Sequence, residues 1–271
     1  MHLGFEGKPR IVSREAFVRT YNPRAYADPV ALVDDYFRVI DHATRHPEKG
    51  SHAIAIELDL PQSQVRGWIR ADDPVIPHCV RGLEQAEING WIAIDVNSET
   101  FQGMNILVAS CFSGGVIDNR SWAPRFSIEN SSALQRIIMS MKWIDAEYEL
   151  ARENSQSSVS EMRVTSSPSI LGRVLYVLGA PLGGPSTQSL KLPEYLHSVD
   201  YEHKEAFVKT YLKNQGIEFG QNETIELTDQ VNGEYLDQLA ALVEDVGGEP
   251  VMRNGNRLVV PPDAARSLGL G

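Results

Sequence analysis

The chain is short of cysteine and lysine, and it lacks any long apolar run. Its two cysteines, Cys79 and Cys111, stand 32 residues apart with no paired spacing. That excludes a zinc knuckle and a disulfide framework and fits a reducing compartment. His78 beside Cys79 has no further ligand-type residue at metal spacing, so the pair reads as packed or solvated side chains. No stretch approaches the roughly 18 apolar residues of a membrane-spanning helix, and the opening "MHLGFEGKPR" has no signal-type apolar core. "GAPLGGPST" lacks the Gly-Lys-Ser/Thr of a phosphate-cradling loop, and no Gly-x-Ser-x-Gly nucleophile motif occurs. Lysine is present only seven times, against 36 acidic residues and a formal net charge of −11. This balance argues against a polybasic nucleic-acid or membrane binder, although a local basic patch is still compatible with it.

What is present supports a sizeable core. Hydrophobic residues make up 42% of 271, a length that favours two domains. The expected division is a lead segment over 1–28, a helical domain over 29–98 and a larger domain over 99–271. In "PVALVDDYFRVIDHATRHP", Pro29 suits the first turn of a helix, and Leu32, Tyr36, Val39 and Ile40 recur at helical spacing. The next stretch, "SHAIAIELDLPQSQVRGWIR", has the pattern of a helix-turn-helix. Ser51 is placed to cap the first helix, and Ala55 is small enough for a close crossing. Asp59 can take the left-handed turn position, Leu60 fills the turn, and Val65 and Trp68 pin the second helix. That second helix is expected from Pro61. No acidic residue occurs from Leu60 to Ala71, and its polar positions are Gln62, Ser63, Gln64, Arg66 and Arg70. Gln and Arg bond base edges bidentately, and Arg also neutralises phosphates, so this helix is a candidate reader of a DNA major groove. The alternative is a solvated face of a packing module. Beyond it, a helix is expected around Val80–Ile88 and a strand over Trp91–Asp95.

From residue 99 the pattern repeats. A helix ends at "SGG", two strands follow in "VIDN" and "WAPRFSIEN", then the helix "SSALQRIIMSMKWI", two strands around a polar turn in "AEYELARENSQSSVSEMRVT", and the helix "SPSILGRVLYVLG". The second copy runs through "HKEAFVKTYLKNQG", "IEFG", "ETIELTD", "GEYLDQLAALVEDVGG", a hairpin "EPVMRNGNRLVV" with an Asn-Gly turn, and "PPDAARSLG". Each copy reads αββαββα, over about 99–180 and 190–271, and the helix-ending Gly115 and Gly216 lie 101 residues apart.

This duplicated order over 99–271 resembles the LAGLIDADG homing-endonuclease family, whose signature helix reads Phe-Leu-x-Gly-Leu-Phe-Asp-Ala-Asp-Gly. "FVKTYLKNQG" matches in frame, with Thr210 at the small crossing position. "ILVASCFSGG" matches with Ala109 there. The connection "LGAPLGGPSTQSLKLPEYL" is similar to the family's linker. A helix-turn-helix joined to a degenerate domain of this kind also resembles the WhiA-type regulators, in which the order of the two parts is reversed. The resemblance implies an α+β fold: an all-α helix-turn-helix domain followed by the duplicated αββαββα domain. It implies a catalytic acid just before each helix-ending glycine, the pair sharing divalent metals for phosphodiester cleavage. Here those positions hold Gly114 and Gln215. Glycine offers no ligand and a neutral amide is a poor Mg²⁺ ligand.

The resulting expectation is a non-catalytic, sequence-specific binder of double-stranded DNA without cofactor or metal. It would be a transcription regulator of the cytoplasm, chromosome-associated, with a possible protein partner. Its acidic, lysine-poor composition resembles that of haloarchaeal proteins; the alternative is an ordinary acidic bacterial protein. On the second domain the candidate DNA contacts are Arg120, Arg125, Arg152, Arg163, Arg253 and Arg257, the "MRNGNR" hairpin above all. The alternatives are a metal-dependent endonuclease using Asp118 or Glu218, and an interaction module that no longer binds DNA.

Overall fold

In a computed structural model, residues 10–22, 28–152, 160–183, 190–215, 217–219, 224–228 and 233–270 are described. The chain divides into two compact units, Ser13–Ile88 and the remainder.

The first unit is all helical. Ser13 caps α1 (Arg14–Val18) by accepting from Ala16 N at 3.1 Å, and the fully buried Phe17 fastens this helix to the unit. Residues 13–22 are therefore part of the helical unit rather than a lead segment. Asp28 caps α2 (Pro29–Arg45), accepting from Val30 N at 3.0 Å, with Pro29 in the first turn where its missing N–H costs nothing. Leu32, Val33, Tyr36 and Val39 form its buried stripe, and Ile40 lies at the margin. The next helix, α3 (Ser51–Leu58), has Gly50 as its cap residue. Ser51 is already inside the helix and makes no capping bond, a correction to the expected cap.

The α3–α4 connection is set by Asp59, whose φ of 55° and ψ of 49° are left-handed. Its turn lets Leu60 N donate to Ala55 O at 3.0 Å. Then α4 (Gln62–Trp68) follows, with Pro61 in the cap position. Ile54, Ala55, Val65 and Trp68 are buried between the helices, and the Trp68 ring meets Tyr36 of α2 edge-on at 5.5 Å. Burying the Ile54 and Val65 side chains is worth about 1.5–3 kcal/mol each. Helix α5 (His78–Ile88) buries Cys79, Val80, Leu83 and Ala86. A Cβ on its Gly82 would fall 1.9 Å from the Tyr21 hydroxyl, so only glycine permits this approach.

The second unit begins with a two-residue ladder, β1 (Arg10–Ile11) against β2 (Ile94–Asp95). The strand expected over Trp91–Asp95 is this short because Ala93 takes a left-handed φ of 52°. Trp91, fully buried, donates Nε1–H to Ile144 O at 2.9 Å. That bond ties residues 89–98 to the larger unit, so the boundary falls after Ile88 rather than after Ser98.

The two copies follow. The first is α6 (Glu99–Phe112), β3 (Val116–Ile117), β4 (Pro124–Ile128), α7 (Ser131–Trp143), β5 (Tyr148–Arg152), β6 (Ser160–Val164) and α8 (Pro168–Val177). The second is α9 (Tyr201–Gln215), β7 (Ile217–Phe219), β8 (Thr224–Thr228), α10 (Gly233–Gly247), β9 (Met252–Asn254), β10 (Arg257–Val260) and α11 (Pro262–Ser267). Each copy builds a four-stranded antiparallel sheet with the same order, β3-β4-β6-β5 and β7-β8-β10-β9. The hairpin turn of the second sheet centres on Gly255–Asn256, one residue beyond the expected Asn-Gly pair, with Gly255 at φ 59°. Helices α6 and α9 pack on each other, with Ala109 and Thr210 buried. Because α6 also packs on α7, it is apolar on nearly all sides, as a fully enclosed helix must be. Buried Asn105 fastens the pair: its Nδ2 donates to His203 O at 2.8 Å and its Oδ1 accepts from the Tyr195 hydroxyl at 2.7 Å.

Candidate nucleic-acid interface

Two regions gather the residues singled out in the sequence. The first is the outer face of α4. Packing of Val65 and Trp68 inward turns Gln62, Ser63 and Arg66 to solvent, and Arg70 just past the helix is exposed as well. Gln64 is half-buried. Among the described residues neither Arg66 nor Arg70 has a carboxylate partner, so two cations are presented uncompensated. Asp72 and Asp73 are exposed immediately beyond them.

The second region lies where α6 and α9 end side by side. Gly114 is exposed, and its φ of 124° lies in a region where L side chains are strained. The Ser127 hydroxyl donates to its carbonyl at 2.9 Å. An acid is thus missing here in backbone conformation as well as in side chain. Gln215, also exposed, is the last residue of α9. Next to these positions, Asn214 Nδ2 donates to Ser113 Oγ at 2.9 Å, and Asn214 Oδ1 accepts from Arg136 Nη2 at 2.9 Å. Arg136, from α7, also donates to Ser132 Oγ at 2.7 Å, while its buried Nε has no acceptor. Partial burial lowers the pKa of Lys213, and the nearby charges of Arg136 and Lys209 lower it further. Burial likewise lowers that of Arg136. Where a pair of metal-binding carboxylates was implied by resemblance, Arg136 and Lys213 are the described charged groups nearby, and both are cationic.

Asp118, one alternative acid, is engaged in its own turn. Its carboxylate accepts from Ser121 N at 2.7 Å, Ser121 Oγ at 2.8 Å and Arg120 N at 3.0 Å. Those bonds, with Arg125 nearby, hold its pKa below the usual carboxylate range. The side chain of Glu218, the other alternative, lies outside the described residues.

The sheet arginines are placed differently from one another. Arg120 is exposed in the β3–β4 turn with no partner among the described residues. Arg125 and Arg163 are opposite one another on the outward face of the first sheet, and both face Glu161, at 3.9 and 2.5 Å. Arg257 is paired with Glu226 on the outward face of the second. Arg253 is opposite the buried Leu258, which puts it on the helix side of its strand, where it pairs with Asp237 of α10. This corrects its reading as a groove contact: a one-residue step along a strand reverses the face. The side chain of Arg152 lies outside the described residues.

Sequence reading missed Arg136, Lys213, Ser113 and Asn214. Ser113 and Asn214 carry a visible signal, since each precedes one of the two vacated acid positions. Arg136 has none, because it reaches Asn214 only across 78 residues of chain.

No helix among the described residues is long and apolar enough to cross a membrane. No family model matches the chain, and no curated protein does. Solved structures do show a likeness. The N-terminal LAGLIDADG domain of DUF199/WhiA is 14% identical, covers 68% of this chain and 89% of that one, and has a TM-score of 0.43. Full-length DUF199/WhiA from Thermatoga maritima is 15% identical over 68% of this chain and 59% of its own, with a TM-score of 0.44. I-DmoI, in complex with its target DNA, is 10% identical over 64% of this chain and 99% of its own, with a TM-score of 0.42. By its own element order, its two identically ordered sheets and its central helix pair, the larger unit has a LAGLIDADG-like fold.

Proposed function

We propose that this chain is a non-catalytic, sequence-specific binder of double-stranded DNA that regulates transcription. The observation that carries the reading is the α4 face. In a chain of net charge −11, it presents Gln62, Ser63, Arg66 and Arg70 without an intervening acid or a described carboxylate partner. The α3–turn–α4 pair, read as a helix-turn-helix, would place α4 in a major groove, where Gln and Arg discriminate bases. The lack of catalysis rests on Gly114 and Gln215, which supply no carboxylate for a metal. The lysine-poor acidic composition supports a salt-rich cytoplasm as the working environment. Electrophoretic shifts with genomic fragments test the reading: retention of a discrete subset is expected, and binding to none would overturn it.

One observation favours a second reading, in which the larger unit engages a protein. Arg125, Arg163 and Arg257 on its outward sheet faces are each matched with a glutamate, which weakens their call on phosphates.

A further inference from the structure

We infer that the exposed face of α2 is where a second copy of this chain docks, the two α2 helices antiparallel, to form a two-fold dimer. The inference goes beyond the DNA-binding reading and does not depend on it.

The face is charged in a pattern that fits its own reverse. Asp34, Arg38, Asp41 and Arg45 are all exposed, and separations of four, three and four residues keep them in one row along the helix. Their signs run minus, plus, minus, plus. Read backwards, the row runs plus, minus, plus, minus with the same separations, about a centre between Val39 and Ile40. An antiparallel second α2 crossing there faces Asp34 with Arg45 and Arg38 with Asp41, and two-fold symmetry makes each pair twice. A parallel copy in register would oppose like charges at all four positions. Within one chain the row is not fully used. Arg38 turns to Asp35 at 2.9 Å rather than to Asp34, and Asp34 has no cationic partner among the described residues. Arg45 meets Asp41 at 2.7 Å, but both side chains are exposed and such a pair contributes little by itself. Beside the row, half-buried Val30 and Phe37 edge a groove of about 730 Å³ between α1, α2 and α5, floored by Val18, Val33 and Leu83. The face thus offers apolar area next to its charges, as the centre of an interface needs. Helix α2 spans 17 residues, about 25 Å, enough for four opposed positions on each copy. Tyr36, which meets Trp68 of α4, lies about 200° round the helix from Asp34, so docking here leaves the α4 surface open.

The test is analytical ultracentrifugation of the full chain at about 0.1 M salt, where charges in contact are not yet fully screened. Wild type at about 0.1 mM, well above a micromolar Kd, should sediment with the mass of two chains. Arg38→Glu sets a carboxylate against Asp41 twice in each dimer and should raise the dissociation constant roughly a hundredfold, and Asp41→Arg should do the same. The double variant, Arg38→Glu with Asp41→Arg, exchanges the two signs and should return the dissociation constant to near wild type. Both side chains are exposed, so circular dichroism should show all three variants folded. A wild-type monomer at that concentration would overturn the inference and leave the face to a different protein. A dimer indifferent to both single reversals would place the contact elsewhere on the chain. Folded single variants that dissociate, with no recovery in the double variant, would reject the antiparallel pairing.

Discussion

Asn214 Nδ2 donates to Ser113 Oγ at 2.9 Å, and these two residues occupy the same position in the two copies, 101 residues apart. The internal duplication therefore closes on itself through a bond between equivalent residues, at the place where the resemblance implied a metal between two acids. With Arg136 added, the junction is a polar network carrying positive charge.

That network should matter for stability. Asn214→Leu leaves Ser113 Oγ and Arg136 Nη2 without their partner and should cost about 1–3 kcal/mol in chemical denaturation. Ser113→Ala also removes two bonds, freeing an Asn214 amide proton and the Ala109 carbonyl to which Ser113 Oγ donates at 2.8 Å, and should cost a similar amount. Equal and negligible effects of the two would show that the network contributes nothing to folding.

Metal-dependent cleavage should be absent. Supercoiled plasmid incubated with the protein and Mg²⁺ or Mn²⁺ should remain intact. Asp118→Ala should loosen the β3–β4 turn, since its carboxylate accepts three bonds there. Reproducible cleavage that disappears in Asp118→Ala or Glu218→Ala would install the nuclease alternative.

Arg66→Ala and Arg70→Ala should each weaken binding to a selected fragment. A lost base contact costs roughly 1–3 kcal/mol and relaxes specificity, whereas a lost phosphate contact weakens all sequences alike. A double variant that binds as wild type does would reduce the α4 face to a solvated surface.

Acid should act through Asp118. Its folded pKa lies below the ordinary value, so it contributes stability above the unfolded pKa of about 3.9, and that contribution is lost as pH falls through the lower folded value. Asp118→Asn should therefore flatten the acid limb of an unfolding curve below about pH 4. An acid limb identical to wild type would show that the turn bonds do not couple to folding.

Salt dependence should be shallow. Of the candidate contacts read from the sequence, Arg66, Arg70 and Arg120 have no carboxylate partner among the described residues, so the log–log slope should be no steeper than about −2.7. Binding should persist at molar KCl, driven by groove contacts and apolar burial. A steep loss above a few tenths molar, with folding retained, would contradict both this mechanism and the salt-rich environment.

Local rules in the sequence settled most of the architecture. Helical spacing in α2, the left-handed tolerance of Asp59, and the alternation and turns of the two copies each depend on neighbours within a few residues, and such signals survive in a linear chain. Gly114 and Gln215, the positions at which the resemblance implies acids, are fixed by frame at the two helix ends. Three-dimensional packing decided the rest. Trp91 moved the unit boundary because its indole found the carbonyl of Ile144. Arg253 turned to the helix side because its register set it opposite Leu258. Arg136 came to Asn214 across 78 residues. Which charges are compensated, and which are left for a ligand, depends on side chains from separate elements meeting in space. No periodicity along the chain encodes that meeting.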